Sequence, residues 1–348
     1  MVSRGAPGAP AQEWIEGIEV HRTAVARGDW VAYSWQAAPL IARLAAQRPF
    51  DIVHFLDVHF AWRFRGPFIA SLNQSFRQRL IGDGGRPYHA NWRELVFRSL
   101  YYRAARRLAE RPALRRARHL TSGSQATVDA FVAEGLVTPE RATVIPTGID
   151  LARLRQRDAG ALRQRLGLEG QRVLLYVGFC TPRKGLVYLA QAMAQVAPEA
   201  RLVIVGRWEP AYRQQFYQAL GAERERVIEV GYAPDEQLPV YYSLADLLVF
   251  PTLLEGFGIP LVEALACGTP VVTTEHSGAS AETAGPGALT APPRNAAALA
   301  EAINRLLRDE PLRQRLAREG QSWARERYDQ RRMIAGYLAV YERFRRQA

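Results

Sequence analysis

Short apolar runs alternate with amphipathic stretches along the second half of the chain, from residue 172 onward. The runs are four to six residues long, which is typical of strands buried on both faces of a parallel sheet. The stretches between them repeat apolar residues with the period of a helix. The pattern predicts strands at 172–178, 201–206, 227–230, 246–250 and 270–274, and helices at 186–196, 211–220 and 235–243.

A similar alternation occupies residues 31–150. It predicts helices at 36–47 and 124–134, a long basic helix, and strands at 50–56, 67–72, 118–122 and 142–146. Two such units favour an α/β protein with two doubly wound domains that face a crevice, where ligands bind at the carboxyl ends of the strands. We divide the chain into an N-terminal domain at 1–150, a linker at 151–171, a C-terminal domain at 172–325 and helices over 297–348.

The amino-acid composition indicates an ordinary globular protein. The chain has 348 residues, 48% of them hydrophobic, which is enough for two domain-sized cores. No apolar run reaches the roughly 18 residues of a membrane span, and the start lacks the apolar segment of a signal peptide. The two cysteines, Cys180 and Cys267, are too few for a disulfide framework. We therefore expect a cytoplasmic protein.

Positive charge is concentrated in one region. The formal net charge is +12, Lys184 is the only lysine, and arginines crowd into 77–118. Apolar residues interleave with these arginines at helical spacing, which predicts an amphipathic helix with a basic face. This face is either a solvated surface, a patch for an anionic membrane, or, least of all, a nucleic-acid patch, since no nucleic-acid-binding motif accompanies it. The apolar positions are Leu95, Val96, Leu100, Tyr101, Ala104 and Leu108.

Residues 251–274 hold the strongest candidate for chemistry. Glu255 precedes a Gly-Phe-Gly sequence, and Glu263 follows on a helix that Pro260 is suited to begin. A glycine loop that ends at a helix N-terminus offers backbone N–H groups and positive partial charge to a phosphate or a sugar oxygen. Because the two carboxylates accept hydrogen bonds from hydroxyls, the sequence predicts a site for a polyol joined to an anion. The alternative is a tight turn with two solvated glutamates.

Two cations, Arg183 and Lys184, stand at the end of the first strand of the second half. Gly178 precedes them, and the ends of the neighbouring strands, at Gly206 and Thr252, are expected to converge on the same place. Lysine offers a diphosphate a compact point charge, and arginine offers a planar fork. The alternative is a helix start with two solvated cations, which is unfavourable without an anion because a helix N-terminus is itself positive.

Taken together, these residues resemble glycosyltransferase family 4, whose members are retaining enzymes with the GT-B arrangement of two Rossmann-like domains. The resemblance extends from residue 18 to the C-terminus and is strongest over 172–282. The motifs that carry it are Glu-x7-Glu at 255–263, Arg-Lys-Gly at 183–185, Ala-Asp at 245–246, Gly-Thr-Pro-Val-Val at 268–272 and Pro-Thr-Gly-Ile-Asp at 146–150.

The resemblance implies a nucleotide-sugar donor held by the C-terminal domain, and no further cofactor. It also implies that the last helix, around 326–348, crosses back onto the N-terminal domain. The implied donor contacts are Lys184 and Arg183 for the diphosphate, Glu263 for the ribose, and Glu255 with the backbone of Gly256, Phe257 and Gly258 for the transferred sugar.

The chain departs from the family pattern at three places. Phe179 stands where members commonly carry an arginine, which leaves more of the diphosphate charge to Arg183. The usual first strands and their glycine-rich loop are not found, so we expect a truncated sequence and an N-terminal sheet that lacks its first strands. Asn73 follows the strand at 67–72 where a histidine is expected. Its amide donates a hydrogen bond but transfers no proton at neutral pH.

The implied reaction is a retaining transfer in which the departing phosphate accepts the proton of the acceptor hydroxyl, so that no separate base is required. No Asp-x-Asp pair follows a strand, and we predict that the reaction needs no metal. His54 and His59, in and after the strand at 50–56, are the nearest candidates for acceptor contacts. A histidine at such a place is more often a satisfied structural group.

The sequence thus predicts a cytoplasmic hexosyltransferase that uses a nucleotide sugar and a glycan or lipid-linked acceptor. The membrane interpretation of the basic helix adds a peripheral association with the inner face of an anionic membrane. Two alternatives stay open. A nucleotide-sugar-binding protein without transfer activity suits Asn73 and the absent first strands. A GT-B sugar-nucleotide epimerase would interconvert donors without an acceptor. The base and the sugar are not distinguished, because the motifs contact phosphates and hydroxyls that every nucleotide sugar shares.

Overall fold

The computed structural model describes residues 1–5, 8–25, 30–80 and 92–345. Its strands are β1 (Val2–Ser3), β2 (Gln12–Ile15), β3 (Ile18–Arg22), β4 (His54–Phe55), β5 (Ile69–Leu72), β6 (His119–Ser122), β7 (Ala142–Val144), β8 (Arg172–Val177), β9 (Ala200–Val205), β10 (Val227–Gly231), β11 (Leu247–Phe250), β12 (Val271–Thr274) and β13 (Ala288–Ala291). Its α-helices are α1 (Trp30–Gln47), α2 (Phe76–Leu80), α3 (Trp92–Ala105), α4 (Arg111–Arg116), α5 (Gln125–Ala133), α6 (Gly160–Arg165), α7 (Leu186–Met193), α8 (Pro210–Leu220), α9 (Leu238–Leu244), α10 (Ile259–Ala266), α11 (Ser280–Ala284), α12 (Ala296–Arg308), α13 (Glu310–Arg327) and α14 (Gln330–Arg345).

The second half of the chain forms a six-stranded parallel sheet in the order β10-β9-β8-β11-β12-β13. The chain moves outward from β8 to β10 and then returns to place β11 on the other side of β8. Such a reversal of strand order opens a crevice at the carboxyl ends of the central strands. The strands and helices predicted here from the sequence are present. β13 was not predicted, because its sequence, Ala-Leu-Thr-Ala, has only one β-branched residue.

The first half forms a four-stranded parallel sheet in the order β4-β5-β6-β7. The strand predicted at 50–56 is longer than the observed one, since only His54 and Phe55 pair with β5. β4 is an edge strand, and it borders a cavity of about 1490 Å³ that a separate small sheet, in the order β1-β3-β2, also lines. The edge leaves apolar side chains accessible, with Phe50 45% and Leu56 68% exposed.

The last helix belongs to the first sheet rather than to the second. Val340 and Phe344 of α14 are buried against Ile69 of β5 and Ile145, which follows β7. The chain therefore leaves the first unit near residue 150, builds the second unit, and returns to complete the first. Residues 146–150 after β7, here called the hinge, lie beside the start of α14. The Ile149 N–H donates to the Tyr328 carbonyl, and the Gln330 N–H donates to the Ile149 carbonyl.

The long basic helix differs from its prediction. The sequence predicted a solvent-facing side made of arginines, but large apolar side chains share that side, with Val96 51%, Leu100 63% and Leu108 63% exposed. The side that packs on the domain is formed mainly by small residues, since Ala105 and Ala109 are buried. Alanines permit a close approach of the helix backbone, and a π-helical turn at Arg106–Glu110 shifts the helix phase between α3 and α4.

Candidate functional site

Two glycines bring the carboxyl ends of β8 and β9 together. Gly206 has φ +159°, and a Cβ at this position would stand 1.9 Å from the carbonyl oxygen of Gly178. No side chain is compatible with that approach. The loops that follow the two strands therefore start from one point and share one crevice, as the sequence predicted for parallel strands of the same sheet.

Lys184, Arg183 and Glu255 meet at this crevice. Lys184 is only 9% exposed, and its ammonium group donates to the Glu255 carboxylate. The same nitrogen lies 4.7 Å from the centre of the Phe250 ring. Arg183 donates from Nη1 to the Leu254 carbonyl at 2.6 Å, and this nitrogen is 3.8 Å from Oε2 of Glu255. The side chains that the sequence assigned to one site from two separate motifs are thus in contact.

The charges in this cluster do not cancel. Burial lowers the pKa of Lys184, and the negative charge of Glu255 opposes that shift only in part. Two cations face a single carboxylate, so the cluster attracts a further anion as long as Lys184 is protonated. Because the ammonium is largely shielded from water, its attraction for an added phosphate is weakened little by salt.

The loop of residues 255–258, here called the glycine loop, is held by its backbone. The Glu255 N–H donates to the Ser277 carbonyl at 2.8 Å, and the Ala279 N–H donates to the Glu255 carbonyl at 2.9 Å. Gly258 has φ +94°, a conformation that favours glycine, and it directs the chain into α10. The loop therefore ends at a helix N-terminus, where backbone N–H groups and the helix dipole favour a bound anion or hydroxyl oxygen.

Glu263 lies on α10 apart from the cationic cluster. It is 7% exposed, and Tyr242 of α9 donates its hydroxyl to Oε2 at 2.8 Å. Burial raises the pKa of Glu263, while the hydrogen bond from Tyr242 and the charge of Arg153 oppose the shift. The two carboxylates that the sequence assigned to one polyol site thus lie on one continuous loop and helix, with Glu255 beside the cations and Glu263 beside Tyr242. Each has its own partner.

Asn73 stands on the opposite, N-terminal side of the cleft. It follows β5, and its side-chain amide donates to the Leu56 carbonyl at 3.0 Å. The backbone carbonyl oxygen of Asn73 lies 3.5 Å from the position that a Cβ on Gly256 would take. The end of β5 therefore faces the glycine loop directly. Within the described ranges, no group of three or more His, Cys, Asp or Glu side chains is arranged to hold a metal ion.

Both halves of the chain match families of known proteins. The profile of the glycosyl transferases group 1 matches residues 158–323, and the profile of glycosyltransferase family 4 matches residues 1–153. The chain belongs to glycosyltransferase family 4. Sucrose-phosphate synthase from Thermosynechococcus elongatus has a similar structure, with a TM-score of 0.82 and 24% identity over 100% of this chain and 89% of that one. The fold is GT-B.

Two further proteins are similar to this chain. The D-inositol 3-phosphate glycosyltransferase of Segniliparus rotundus is 33% identical over 215 residues, which are 60% of this chain and 41% of that protein. The Anabaena protein HepE, solved in complex with UDP-glucose, is 25% identical with a TM-score of 0.69 over 88% of this chain and 82% of HepE. The matches span from 41% to 62% of the first curated relatives' own lengths, about half on average.

His54, a candidate for acceptor contact, has both ring nitrogens engaged in hydrogen bonds. Nδ1 is 2.8 Å from the Tyr341 hydroxyl, and Nε2 is 3.0 Å from Oγ of Ser71. Burial lowers the pKa of His54 to about 4, so the ring is neutral at physiological pH. The structure therefore places His54 in the packing of α14 on the sheet.

His59, the other candidate, is enclosed between two carboxylates. It is 1% exposed; Nδ1 donates to Oδ1 of Asp57, and Nε2 donates to Oε1 of Glu110 at 3.0 Å. The Phe76 N–H donates to the same Glu110 oxygen at 2.9 Å, and Arg79 donates to Oδ2 of Asp57 at 3.1 Å. This corrects the expectation that His59 lines the acceptor side, because no nitrogen of its ring is left for a ligand.

The hydrogen-bond partners of His59 fix its charge. Burial alone would lower the pKa of His59, but the charge of Asp57 and the hydrogen bonds to Asp57 and Glu110 outweigh it and raise the pKa. Burial would likewise raise the pKa of Asp57, yet His59 and Arg79 hold it below its usual range. A buried imidazolium therefore ties the segment after β4 to α2 and to the π-helical turn that carries Glu110.

Sequence reasoning missed Tyr242, the hydrogen-bond donor to Glu263. The signal was ambiguous, since Tyr241 and Tyr242 are adjacent and both are buried on α9. Helical spacing alone does not decide which hydroxyl reaches α10. Tyr328, whose ring packs edge-on against Phe257 with centres 5.4 Å apart, was missed because it lies more than seventy residues further along the chain.

We predict that His59→Gln lowers the free energy of unfolding by about 3 kcal/mol at about pH 6, because Asp57 and Glu110 lose a buried cationic partner. The pKa of His59 is raised above 6.5 in the fold, so its contribution is complete below that pH and is lost as the pH rises through the folded value. The destabilisation by His59→Gln, measured by urea unfolding, should therefore shrink towards about pH 9.

His119→Gln is the matched control for this series. Burial lowers the pKa of His119 below 6.5, so the wild-type protein loses stability through this group as the pH falls. The stability difference that His119→Gln makes should change with pH in the opposite sense. Equal pH dependence of the two variants would contradict the assignment of a charged His59.

Proposed function

We propose that this chain is a retaining hexosyltransferase that moves a sugar from a nucleotide diphosphate sugar to a hydroxyl of a glycan or lipid-linked acceptor. The observation that supports it best is the contact of Lys184 and Arg183 with Glu255 at the carboxyl end of a Rossmann-like sheet. HepE, which shares the fold and a quarter of the aligned sequence, binds UDP-glucose. In this chain two cations and a glycine loop suit such a donor.

In this proposal the diphosphate of the donor lies beside Lys184 and Arg183. Charge develops on the phosphate oxygen as the bond from the sugar C1 breaks, and fixed cations near that oxygen stabilise the transition state more than the ground state. Because Lys184 is held by burial and by Glu255, it needs little reorganisation when the charge appears. The two side chains supply the neutralisation, and we propose that the reaction needs neither a metal nor any other cofactor.

The sugar and the ribose take the remaining groups of the loop. Glu255 and the backbone N–H groups of residues 256–258 suit the hydroxyls of the transferred sugar, and Glu263 suits the two hydroxyls of the ribose. The raised pKa of Glu263 places its protonation closer to neutrality than that of an exposed glutamate. Donor affinity should accordingly fall on the acid side as Glu263 becomes protonated.

The proposed transfer step needs no additional base to accept the proton of the acceptor hydroxyl. The bond between C1 and the phosphate oxygen breaks, the acceptor oxygen bonds to C1 on the same face, and the acceptor proton passes to the departing phosphate oxygen. Asn73, which faces the glycine loop across the cleft, then serves as a hydrogen-bond donor to the substrates and needs no change of protonation. Domain closure would supply the positioning of both substrates.

We predict that Lys184→Met and Glu255→Gln each reduce donor turnover by about 100-fold or more, since each removes a group that contacts the reacting part of the donor. Turnover is measured as release of nucleoside diphosphate from UDP-, GDP- and ADP-linked glucose and mannose, with the anomeric configuration of the product read by NMR. Glu229→Gln is the control. Glu229 lies on β10 outside the crevice and pairs with Arg213 of α8. The same carboxylate-to-amide change at this position should leave turnover unchanged.

Unchanged turnover in Lys184→Met and Glu255→Gln would contradict the proposed function. Asn73, in the place where the family resemblance leads us to expect a histidine, favours one alternative, a nucleotide-sugar-binding protein without transfer activity. Calorimetric binding of a donor with no turnover would identify that case. Interconversion of donors in the absence of an acceptor would identify an epimerase instead.

A surface on α3 supports a location at the cytoplasmic face of a membrane. The exposed side carries Phe97 and Leu100, which are 69% and 63% exposed. Soluble proteins seldom leave large contiguous apolar patches in water, and an apolar side that also carries arginines suits the interface of an anionic bilayer. No helix in the described parts of the chain is long and apolar enough to cross a membrane. The exposed arginines of this side are Arg103, Arg107, Arg111 and Arg115.

We predict that Phe97→Ser combined with Leu100→Ser weakens binding to vesicles of anionic lipid by at least about tenfold, because both side chains lose their burial among the lipids. Co-sedimentation measures the bound fraction. Arg107→Gln combined with Arg111→Gln should weaken binding only at low salt. The control pair, Ile334→Ser with Leu338→Ser on α14, changes side chains that are 51% and 53% exposed and should have no effect. Equal binding by all three variants would contradict this surface.

A further inference from the structure

The first turn of α5, in the N-terminal domain, forms hydrogen bonds with the glycine loop of the C-terminal domain. Ser124 Oγ is 2.9 Å and Thr127 Oγ1 is 3.3 Å from the carbonyl oxygen of Gly256, and the two hydroxyl oxygens are 2.8 Å apart. Ser124 is 1% and Thr127 3% exposed. Each hydroxyl has one proton, and whichever way the two protons are arranged, one hydroxyl donates to the Gly256 carbonyl.

A carboxylate from the C-terminal half completes this contact. The two oxygens of Glu282, on α11, accept the N–H groups of Gln125 and Ala126, each at 2.8 Å. These N–H groups are among those that a helix start leaves without an intrahelical partner, and the helix dipole favours a negative group there. Two separate segments of the C-terminal half therefore meet one helical turn of the N-terminal half.

The contact determines the orientation of a peptide group in the glycine loop. In a trans peptide the carbonyl and the following N–H point in opposite directions. Because the Gly256 carbonyl points to Ser124, the Phe257 N–H points away from α5. On one side of this peptide group, Glu255 pairs with Lys184. On the other, the Phe257 ring packs on Tyr328. Fixing the Gly256 carbonyl therefore orients the part of the loop between the ion pair and α10.

We propose that Ser124 and Thr127 are positioning residues of the donor site, and that they make its geometry depend on contact between the two domains. When the cleft opens, the Gly256 carbonyl loses its hydroxyl partners and the loop loses its fixed orientation. Donor affinity is then highest in the closed form, so that donor binding favours closure. The donor part of this inference depends on the proposed function, whereas the ordering of the loop does not.

The test uses Ser124→Gly in a Thr127→Val background, so that no second hydroxyl replaces the lost donor to the Gly256 carbonyl. Glycine is a nearly neutral replacement for serine at an N-cap, so α5 keeps its start while the hydroxyl is lost. Amide hydrogen exchange of the full chain without nucleotide should become about five- to tenfold faster at residues 256–261, the change expected for the loss of one hydrogen bond. Ser124→Thr, which keeps a hydroxyl at this position, should exchange at the wild-type rate. With UDP-glucose and GDP-mannose as probes, KM should rise in Ser124→Gly by a similar factor.

Asn295→Gly is the matched control, because Asn295 is the N-cap of α12 and accepts the Ala298 N–H at 3.0 Å far from the cleft. It should leave exchange at 256–261 unchanged. Wild-type exchange in Ser124→Gly, equal acceleration in Asn295→Gly, or no rescue by Ser124→Thr would each overturn the inference. If exchange changes as expected but neither probe binds wild type, the donor assignment fails while the interdomain contact is upheld.

Discussion

The ion pair of Lys184 and Glu255 is the interaction on which the crevice of the C-terminal half depends. An ammonium that is nearly enclosed by protein is costly unless an anion meets it, and removal of either partner would leave a buried charge alone. The partners are 71 residues apart in sequence. They meet because β8 and β11 are neighbours in the sheet although two strands separate them along the chain.

The ion pair also holds the crevice in shape. Glu255 is fixed through its backbone to the segment after β12 and through its side chain to the end of β8, so the glycine loop is joined to the two strands that flank β11. Preorganisation of this kind lowers the free-energy cost of arranging charges around a substrate. The second positive charge, that of Arg183, stays incompletely neutralised. The site is therefore both ordered and attractive to anions.

Most of the C-terminal half could be predicted from the sequence, because buried parallel strands and the loops after them leave a local pattern. The cluster of Arg183, Lys184 and Glu255 followed from the expected convergence of parallel strand ends, together with the family motifs that carry these residues. The N-terminal half was harder to predict. Helical spacing divides α3 into two sides but does not say which side packs on the domain. Small alanine side chains form the side that packs, so the larger apolar side chains stay exposed. His54 and His59 were misplaced for a related reason, since their partners, Tyr341 and Glu110, come from distant segments.

The return of α14 to the first sheet has a consequence for biosynthesis. Residues between the hinge and Tyr328 form one uninterrupted unit with a large core of its own, so this unit can acquire its structure as soon as it leaves the ribosome. The earlier unit must wait, because Val340 and Phe344 reach it only after the second unit has been made. Of these two units, the one whose synthesis starts earlier is therefore completed later. Until then its apolar sheet face stays open to chaperones and to aggregation.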